Sequence, residues 1–300
     1  MPEFSLRQLR YFVAAHDAGS IAVAAEREYV SASAVSAAVS HLESTLGVQL
    51  FVRRHAQGIS STPQGRALAA EARALLKQAE DLQRLGRELA GELAGELRVG
   101  CLVTLAATLV PSALRSFAAA HPRIEVTLAE SGQEGLVDGL RSGELDLAIT
   151  YDLSREPGLV FEGIRDLPPV VVVAAGHPLA GAPSVPLGRL AREPLVLLDL
   201  PISREYFLGL FRSRRLAPRV GARSRYLDVV CSMVGNGAGY SLLNVPPSSG
   251  RAADGSALAT VRLAGSHRAL RLGLLQVAAA RRTRAAAAFA SHCRTALSAA

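Results

Sequence analysis

The stretch SIAVAAEREYVSASAVSAAVSHLESTLG, residues 20–47, sets the architecture of the N-terminal end. Ser20 is a good helix N-cap, and residues 21–28 read as a short helix. Tyr29-Val30-Ser31 is a tight turn. A third helix starts at Ser31 or Ser33 and runs to about Leu46, with Val35, Val39, Leu42 and Leu46 at steps of 4, 3 and 4. That spacing makes a helical apolar stripe, and Gly47 ends it. Two short helices around a three-residue turn form a helix-turn-helix, and the second is the one whose outer face can enter the major groove of double-stranded DNA. Here that face offers Ser33, Ser36, Ala37, Ser40 and His41, with Ser31 at its start. The face is small and carries no Lys or Arg. Small residues let a helix approach closely, and hydroxyls can reach phosphates or base edges.

Upstream, Leu6, Leu9, Tyr11, Phe12 and Val13 begin an amphipathic helix that runs to about Ala18. Downstream, residues 48–54, 55–58 and 59–62 read as strand, turn and strand, a β-wing. Arg53 and Arg54 sit where a wing reaches phosphate or the minor groove.

The pieces Leu6-Arg7-Gln8-Leu9-Arg10-Tyr11-Phe12, Gly19-Ser20, Ala24-Ala25-Glu26, Val30-Ser31, Val35-Ser36, His41-Leu42-Glu43, Leu46-Gly47-Val48, Leu50-Phe51, Arg53-Arg54 and Thr62-Pro63-Gln64-Gly65 span the whole module. Residues 6–65 thereby closely resemble the DNA-binding domain of LysR-type transcriptional regulators. The family usually has a glutamine early in the recognition helix, where this chain has Ala32. A base contact common in the family is therefore missing, and site preference does not carry over.

Net charge does not carry the DNA-binding reading. The chain is +7 overall, but residues 1–62 hold five arginines and five acids, whereas residues 251–300 hold eight arginines and one acid, Asp254. Lys77 is the only lysine, and alanine is abundant, which we read as the codon bias of a GC-rich genome.

Thr62 caps a further helix with Pro63 at its first position. It runs to about Gly91, and Leu68, Leu75, Leu82 and Leu89 recur every seven residues, with Ala72 and Ala79 between them. That is a coiled-coil seam and predicts a homodimer; an amphipathic helix packed on its own domain is the alternative. The resemblance implies a dimerising linker, and effector domains that pair dimers into a homotetramer.

From Leu97 the period changes. Strand-like apolar runs at residues 97–103, 124–129, 145–151, 159–164, 170–175, 195–200, 239–243 and 270–278 alternate with helical stretches. This pattern indicates an α/β domain with covered sheets, crossing between two lobes near Asp166-Leu167-Pro168-Pro169 and near residues 267–270. A helix at about 283–297 packs back on the first lobe. Gly143-Glu144-Leu145-Asp146-Leu147-Ala148-Ile149 and Gly235-Asn236-Gly237-Ala238-Gly239-Tyr240 resemble parts of the family's effector domain, which has the fold of periplasmic solute-binding proteins. The expected division is 1–62 for the winged helix-turn-helix, 63–92 for the linker helix and 93–300 for the effector-binding domain. Its first lobe comprises about 93–166 with 269–300, and its second about 167–268.

A cleft between lobes is the place for a small-molecule effector. Thr104 and Thr108 follow the first strand and open a helix, where free N–H groups favour an anion. Ser131 follows the second strand and Thr150 ends the third. Ser203 reads as both an N-cap and a ligand donor in the second lobe, with Tyr226 a further candidate. No acidic cluster lines the expected cleft, so the effector is expected to be anionic, a carboxylate. A partner in RNA polymerase follows if the protein activates.

Enzyme signatures are missing: there is no Gly-x-Ser-x-Gly, no His-Glu-x-x-His, no P-loop and no cysteine–histidine pattern. The glycines at 235, 237 and 239 follow a helix and precede a strand, the reverse of a dinucleotide fingerprint. Cys101, Cys231 and Cys293 are widely spaced and read as buried apolar residues, with neither a disulfide framework nor a metal pattern. No cofactor is expected. A transport solute-binding protein would not explain residues 1–65. Met-Pro-Glu-Phe-Ser-Leu-Arg has no basic-then-apolar signal region, and the apolar runs 167–175 and 195–200 are too short to span a membrane. A cytoplasmic protein is expected.

Overall fold

The computed structural model describes residues 3–54, 58–89, 94–153, 156–278 and 283–298. Three helices open the chain: α1 Leu6–Ala18, α2 Ile21–Arg27 and α3 Ala32–Leu46. Each begins with a serine whose side chain accepts a backbone N–H: Ser5 from Gln8, Ser20 from Val23 and Ser31 from Ala34. Each hydroxyl satisfies one of the donors that a helix start leaves unpaired. The wing is an antiparallel pair, β1 Phe51–Arg54 and β2 Gly58–Ser61. Its first strand is shorter than expected, because residues 48–50 are held outside the ladder. The Glu43 carboxylate accepts from the Leu50 and Phe51 N–H groups at 2.8 and 3.2 Å.

The long helix α4, Pro63–Leu89, starts on Thr62, whose hydroxyl oxygen accepts from Gly65 N at 2.9 Å. Gly65 is required here by space alone: a Cβ would lie 2.2 Å from the Leu50 carbonyl oxygen. Leu68, Ala69, Ala72 and Leu76 pack into the core of the first domain, around buried Phe12, Val35 and Leu42.

The rest of the chain forms two lobes of the same design. In the first, β3 Gly95–Leu102, β4 Ile124–Ser131, β5 Leu147–Tyr151, β6 Leu159–Leu167 and β12 Leu270–Val277 make a sheet of order β4-β3-β5-β12-β6. Helices α5 Val103–Ala120, α6 Gln133–Ser142 and α10 Arg284–Ala296 cover it. In the second, β7 Val170–Ala174, α7 Leu187–Leu190, β8 Pro194–Leu198, α8 Pro201–Arg212, β9 Arg219–Ser224, α9 Leu227–Gly235, β10 Ser241–Leu243 and β11 Leu258–Arg262 follow in turn. A single bridge, Leu195 to Tyr240, joins the β8-β9 pair to the β10-β7-β11 sheet. The resulting order β9-β8-β10-β7-β11 repeats that of the first lobe, including which neighbours are parallel. The chain crosses between lobes at 167–170 and 262–270, near the expected places.

Helix α5 is long and apolar enough to cross a membrane by composition. The sequence reading overlooked it. One face is core, with Leu105, Leu109, Val110, Ala113 and Phe117 buried, and it packs in the middle of the first lobe.

Ion pairs fasten α4 to both neighbours. Arg73 pairs with Asp17 of α1 and, through Nε at 3.3 Å, with Glu144 of the first lobe. Lys77 pairs with Asp146, whose other carboxylate oxygen accepts from Arg98 N at 2.8 Å. Both partners of that pair are largely buried. Gly143, at φ +74°, lies against the Lys77 stem, where a Cβ would come within 2.7 Å.

Candidate functional site

The recognition face is built by α3. Val35, Ala38, Val39 and Leu42 turn inward, which leaves Ser33, Ala37, Ser40 and His41 exposed and Ser36 half-buried. Ser31 is occupied as the cap, and its oxygen also lies 2.9 Å from the Ser33 hydroxyl. Just before it, Tyr29 is 96% exposed and holds φ 55°, an uncommon conformation for a bulky residue. Arg53 and Arg54 end β1 at the wing, but their side chains, and the tip at 55–57, lie outside the described residues.

The leucine seam divides. Leu68 is half-buried in its own domain, whereas Leu75 and Leu82 are 41% and 69% exposed. The Leu89 side chain lies outside the described residues. Exposed leucines on one long helix are what a second copy of that helix would cover.

Between the lobes lies a cavity of about 440 Å³. Leu102, Leu198, Leu200, Phe207, Leu243 and Val245 supply apolar wall, and Thr104, Gln133, Glu134, Ser203, Arg225 and Asn244 supply polar groups. The starts of four helices meet here: α5, α6, α8 and α9 all contribute first-turn or capping-region residues to the lining. Their N-caps are Leu102, Gly132, Leu200 and Tyr226, and none makes a side-chain cap hydrogen bond. The free N–H groups and the positive ends of four helix dipoles therefore surround one cavity. Glu134 and Arg225 offset each other in formal charge, so the helix ends decide the sign of the field.

Thr104 and Ser203 line this cavity from opposite lobes. The Thr104 hydroxyl oxygen is buried without a hydrogen-bond partner among the described residues. Burial pushes the neighbouring Tyr151 hydroxyl well above its ordinary pKa. Ser203 is not an N-cap. Leu200 holds that position and Pro201 the first helical one. Pro201 has no N–H and its φ is set for a first turn, so the cap falls at Leu200, three residues before Ser203, and Ser203 comes third in the helix.

Three other candidates lie elsewhere. Thr150 is fully buried and donates to Gln133 Oε1 at 2.6 Å. It positions a lining residue and does not line the cavity itself. Ser131 packs its hydroxyl over Gly135, 2.1 Å from where a Cβ would stand. Tyr226 is 73% exposed and is not part of the cavity lining. Its neighbour Arg225 lines the cavity instead. Gln133 was findable by the rule that selected Thr104, since it opens a helix straight after a strand. Arg225 was hidden because β9, which precedes it, was not recognised as a strand.

The thiols are quiet. Cys101, Cys231 and Cys293 are buried, and burial pushes them up to about 12, 11 and 12. Such thiols carry negligible thiolate near neutrality. Among the described residues there is no cluster of metal-ligating side chains.

Two family models match the chain: "Bacterial regulatory helix-turn-helix protein, lysR family" over residues 6–66, and "LysR substrate binding domain" over residues 90–298. The HTH-type transcriptional regulator TfdS of Cupriavidus pinatubonensis is 32% identical over 79% of this chain and 81% of its own. A probable hydrogen peroxide-inducible genes activator of Mycobacterium leprae is 32% identical, over 78% of this chain and 76% of that protein. Among solved structures, HinK from Pseudomonas aeruginosa is 33% identical with a TM-score of 0.67, over 99% of this chain and 100% of that one. CbnR in complex with its target DNA is 26% identical with a TM-score of 0.70, over 98% and 100%. The serine-lined helix and wing at one end, and the two-lobed domain at the other, are thus parts of one arrangement: the chain belongs to the LysR family of DNA-binding transcriptional regulators.

Proposed function

We propose that this regulator is controlled by a small anionic effector, a carboxylate with an apolar body, held between the lobes. The observation that carries this reading is the meeting of four helix starts without side-chain caps on one largely apolar cavity. The apolar wall suits the body of such a ligand, and the unpaired N–H groups with Thr104, Ser203 and Arg225 suit its anionic end. Ser33, Ser36, Ala37 and Ser40 of α3 and the wing arginines Arg53 and Arg54 read double-stranded DNA. The exposed Leu75 and Leu82 join two copies, with Leu68 and Leu89 at the ends of the seam. The division 1–62, 63–92 and 93–300 follows from these roles. The protein works in the cytoplasm as a homodimer or homotetramer, and it touches RNA polymerase if it activates. A peroxide-sensing mechanism, such as the name of the M. leprae relative suggests, finds no support in three buried, unreactive thiols.

The test is a thermal-shift screen of the full-length protein with monocarboxylates, their amides and the matching amines. Ligand binding raises stability by RT ln(1 + [L]/Kd). Carboxylates alone are expected to stabilise it, and stabilisation by amines would overturn the anion reading. For the DNA face, replacing Arg53 and Arg54 together by alanine is expected to lower affinity for all sequences. It should also reduce the salt slope by about one per lost phosphate contact.

A further inference from the structure

Behind the effector cavity, on the far side of α8, lies a second hollow of about 760 Å³. Its walls differ in kind. Where the first cavity is mostly apolar, this one gathers four guanidinium groups, Arg204, Arg212, Arg214 and Arg268, against two carboxylates, Asp152 and Glu205. Arg204 pairs with Asp199 at 3.0 Å, and Arg212 with Glu205 at 2.5 Å. Arg214 and Arg268 pair with no carboxylate among the described residues; Arg214 reaches only the Ser266 carbonyl, at 3.4 Å. They come from separate segments, the turn after α8 and the crossover that returns the chain to the first lobe, yet line one hollow.

We infer that this hollow is a second ligand site, for a compact oxyanion bearing more than one negative charge, and that Arg214 and Arg268 hold it. Two planar guanidinium forks without carboxylates, in a concave basic surface, match the oxygens of a phosphate or a polycarboxylate. A monoanion would leave one fork unmatched. The hollow takes residues from both lobes, Asp152 and Leu153 from the first and α8 from the second, with the crossover residues Ser266, His267 and Arg268 between. Its occupant therefore bears on the angle between lobes.

The two cavities share Pro201, Ile202 and Leu270. Their common wall is a hydrogen-bonded chain. Asn244, which lines the effector cavity, donates to Leu167 O at 2.8 Å and to the Tyr206 hydroxyl at 3.4 Å. Tyr206, which lines the second hollow, donates to Arg268 O at 2.5 Å. A ligand that fixes Arg268 thus stiffens the hinge strand beside the effector cavity. By linkage, whatever factor it applies to effector affinity the effector applies in return.

The experiment is calorimetric titration of the full-length protein with pyrophosphate and, separately, citrate, in chloride buffer at constant ionic strength. Saturable binding of at least one is expected, and the tighter of the two identifies phosphate or polycarboxylate as the source. The double substitution Arg214→Ala with Arg268→Ala is expected to weaken that binding tenfold or more, since each lost charge-assisted bond corresponds to about tenfold. Both side chains are exposed, and an unchanged melting temperature in chloride verifies that the variant folds. Arg225→Ala, in the effector cavity, is expected to leave the binding unaltered. No saturable binding of either probe overturns the proposal, as does equal binding by the double variant. Loss of binding in Arg225→Ala alone would place the oxyanion in the effector cavity, overturning the second site while leaving the effector reading intact.

Discussion

The helices at the two ends of this molecule begin differently. At the DNA-binding end, α1 to α4 each start on a Ser or Thr whose oxygen accepts a backbone N–H. Around the interlobe cavity, α5, α6, α8 and α9 start on Leu, Gly, Leu and Tyr without any such bond. Away from the cavity the effector domain has both kinds of start: α10, on the outside of the first lobe, is capped by Thr283, whereas the one-turn α7 starts on Pro186 without a side-chain cap. Capping satisfies a helix locally and adds about 1 kcal/mol. Leaving four starts uncapped on one cavity keeps donors available, and they favour negative charge. The first end is built to be rigid before it meets DNA, and the second to be completed by something from outside.

The comparison can be broken most forcefully at α4. Leu82→Pro is expected to cost at least ~3 kcal/mol in the helix and to convert dimer to monomer in sedimentation, with loss of dimeric DNA binding. A dimer that survives would show that the exposed seam is not what joins the copies. Next in size are the two hydroxyls of the proposed effector site. Thr104→Val and Ser203→Ala are each expected to weaken effector binding by about 10–150-fold, the loss of one hydrogen bond to a charged group. Apo DNA binding, measured by gel retardation, should stay as it is.

Two smaller changes set the ends against each other. Ser31→Ala removes a cap and is expected to lower stability by about 1 kcal/mol in urea unfolding. Gly132→Asp adds one. Its backbone is extended and nothing lies within 4 Å of a Cβ there. It is expected to raise stability by a few tenths to ~1 kcal/mol while weakening binding of the proposed anionic effector. If Gly132→Asp leaves effector binding unchanged, the start of α6 plays no part in it.

The smallest effect concerns pH. Burial, and next the charge of Arg73, hold His16 below its ordinary 6.5, with Asp17 acting in the opposite direction. The unfolded chain then takes a proton that the folded chain refuses. Stability is complete above 6.5 and is lost as pH falls through the lower folded value. His16→Gln is expected to flatten that slope in the urea midpoint between about pH 7.5 and 5.5.

Much of this was legible because it depends on patterns with a period. The stripe Val35, Val39, Leu42 located α3, and the apolar runs located the central strands of both lobes. The strands that escaped, β9 and β11, are edges. Arg219–Ser224 alternates exposed and half-buried residues, and Leu258–Arg262 buries only Val261 below the surface layer. Neither presents the continuous apolar run of a strand covered on both faces. The site was legible where backbone position decides it, as for Thr104 and Ser203 near helix starts. It was not where the direction of a side chain decides it. Thr150 is next to last in β5, beside the cavity, but its hydroxyl turns to Gln133. The heptad was real as spacing, yet it did not reveal that Leu68 serves its own domain while Leu75 and Leu82 do not.

Lys77 gives the molecule an unusual vulnerability. A protease that cuts only after lysine has a single bond to attack in all 300 residues. That bond lies in the middle of α4, and cutting it parts the DNA-reading end from everything that senses. In the folded chain the lysine is held in a helix, its ammonium on Asp146 and its stem against Gly143. Cleavage must wait until the linker lifts from the first lobe and locally unwinds. The rate at which one fragment becomes two is therefore a clock for that undocking. No label or engineered probe is needed to read it with the effector cavity empty and then filled.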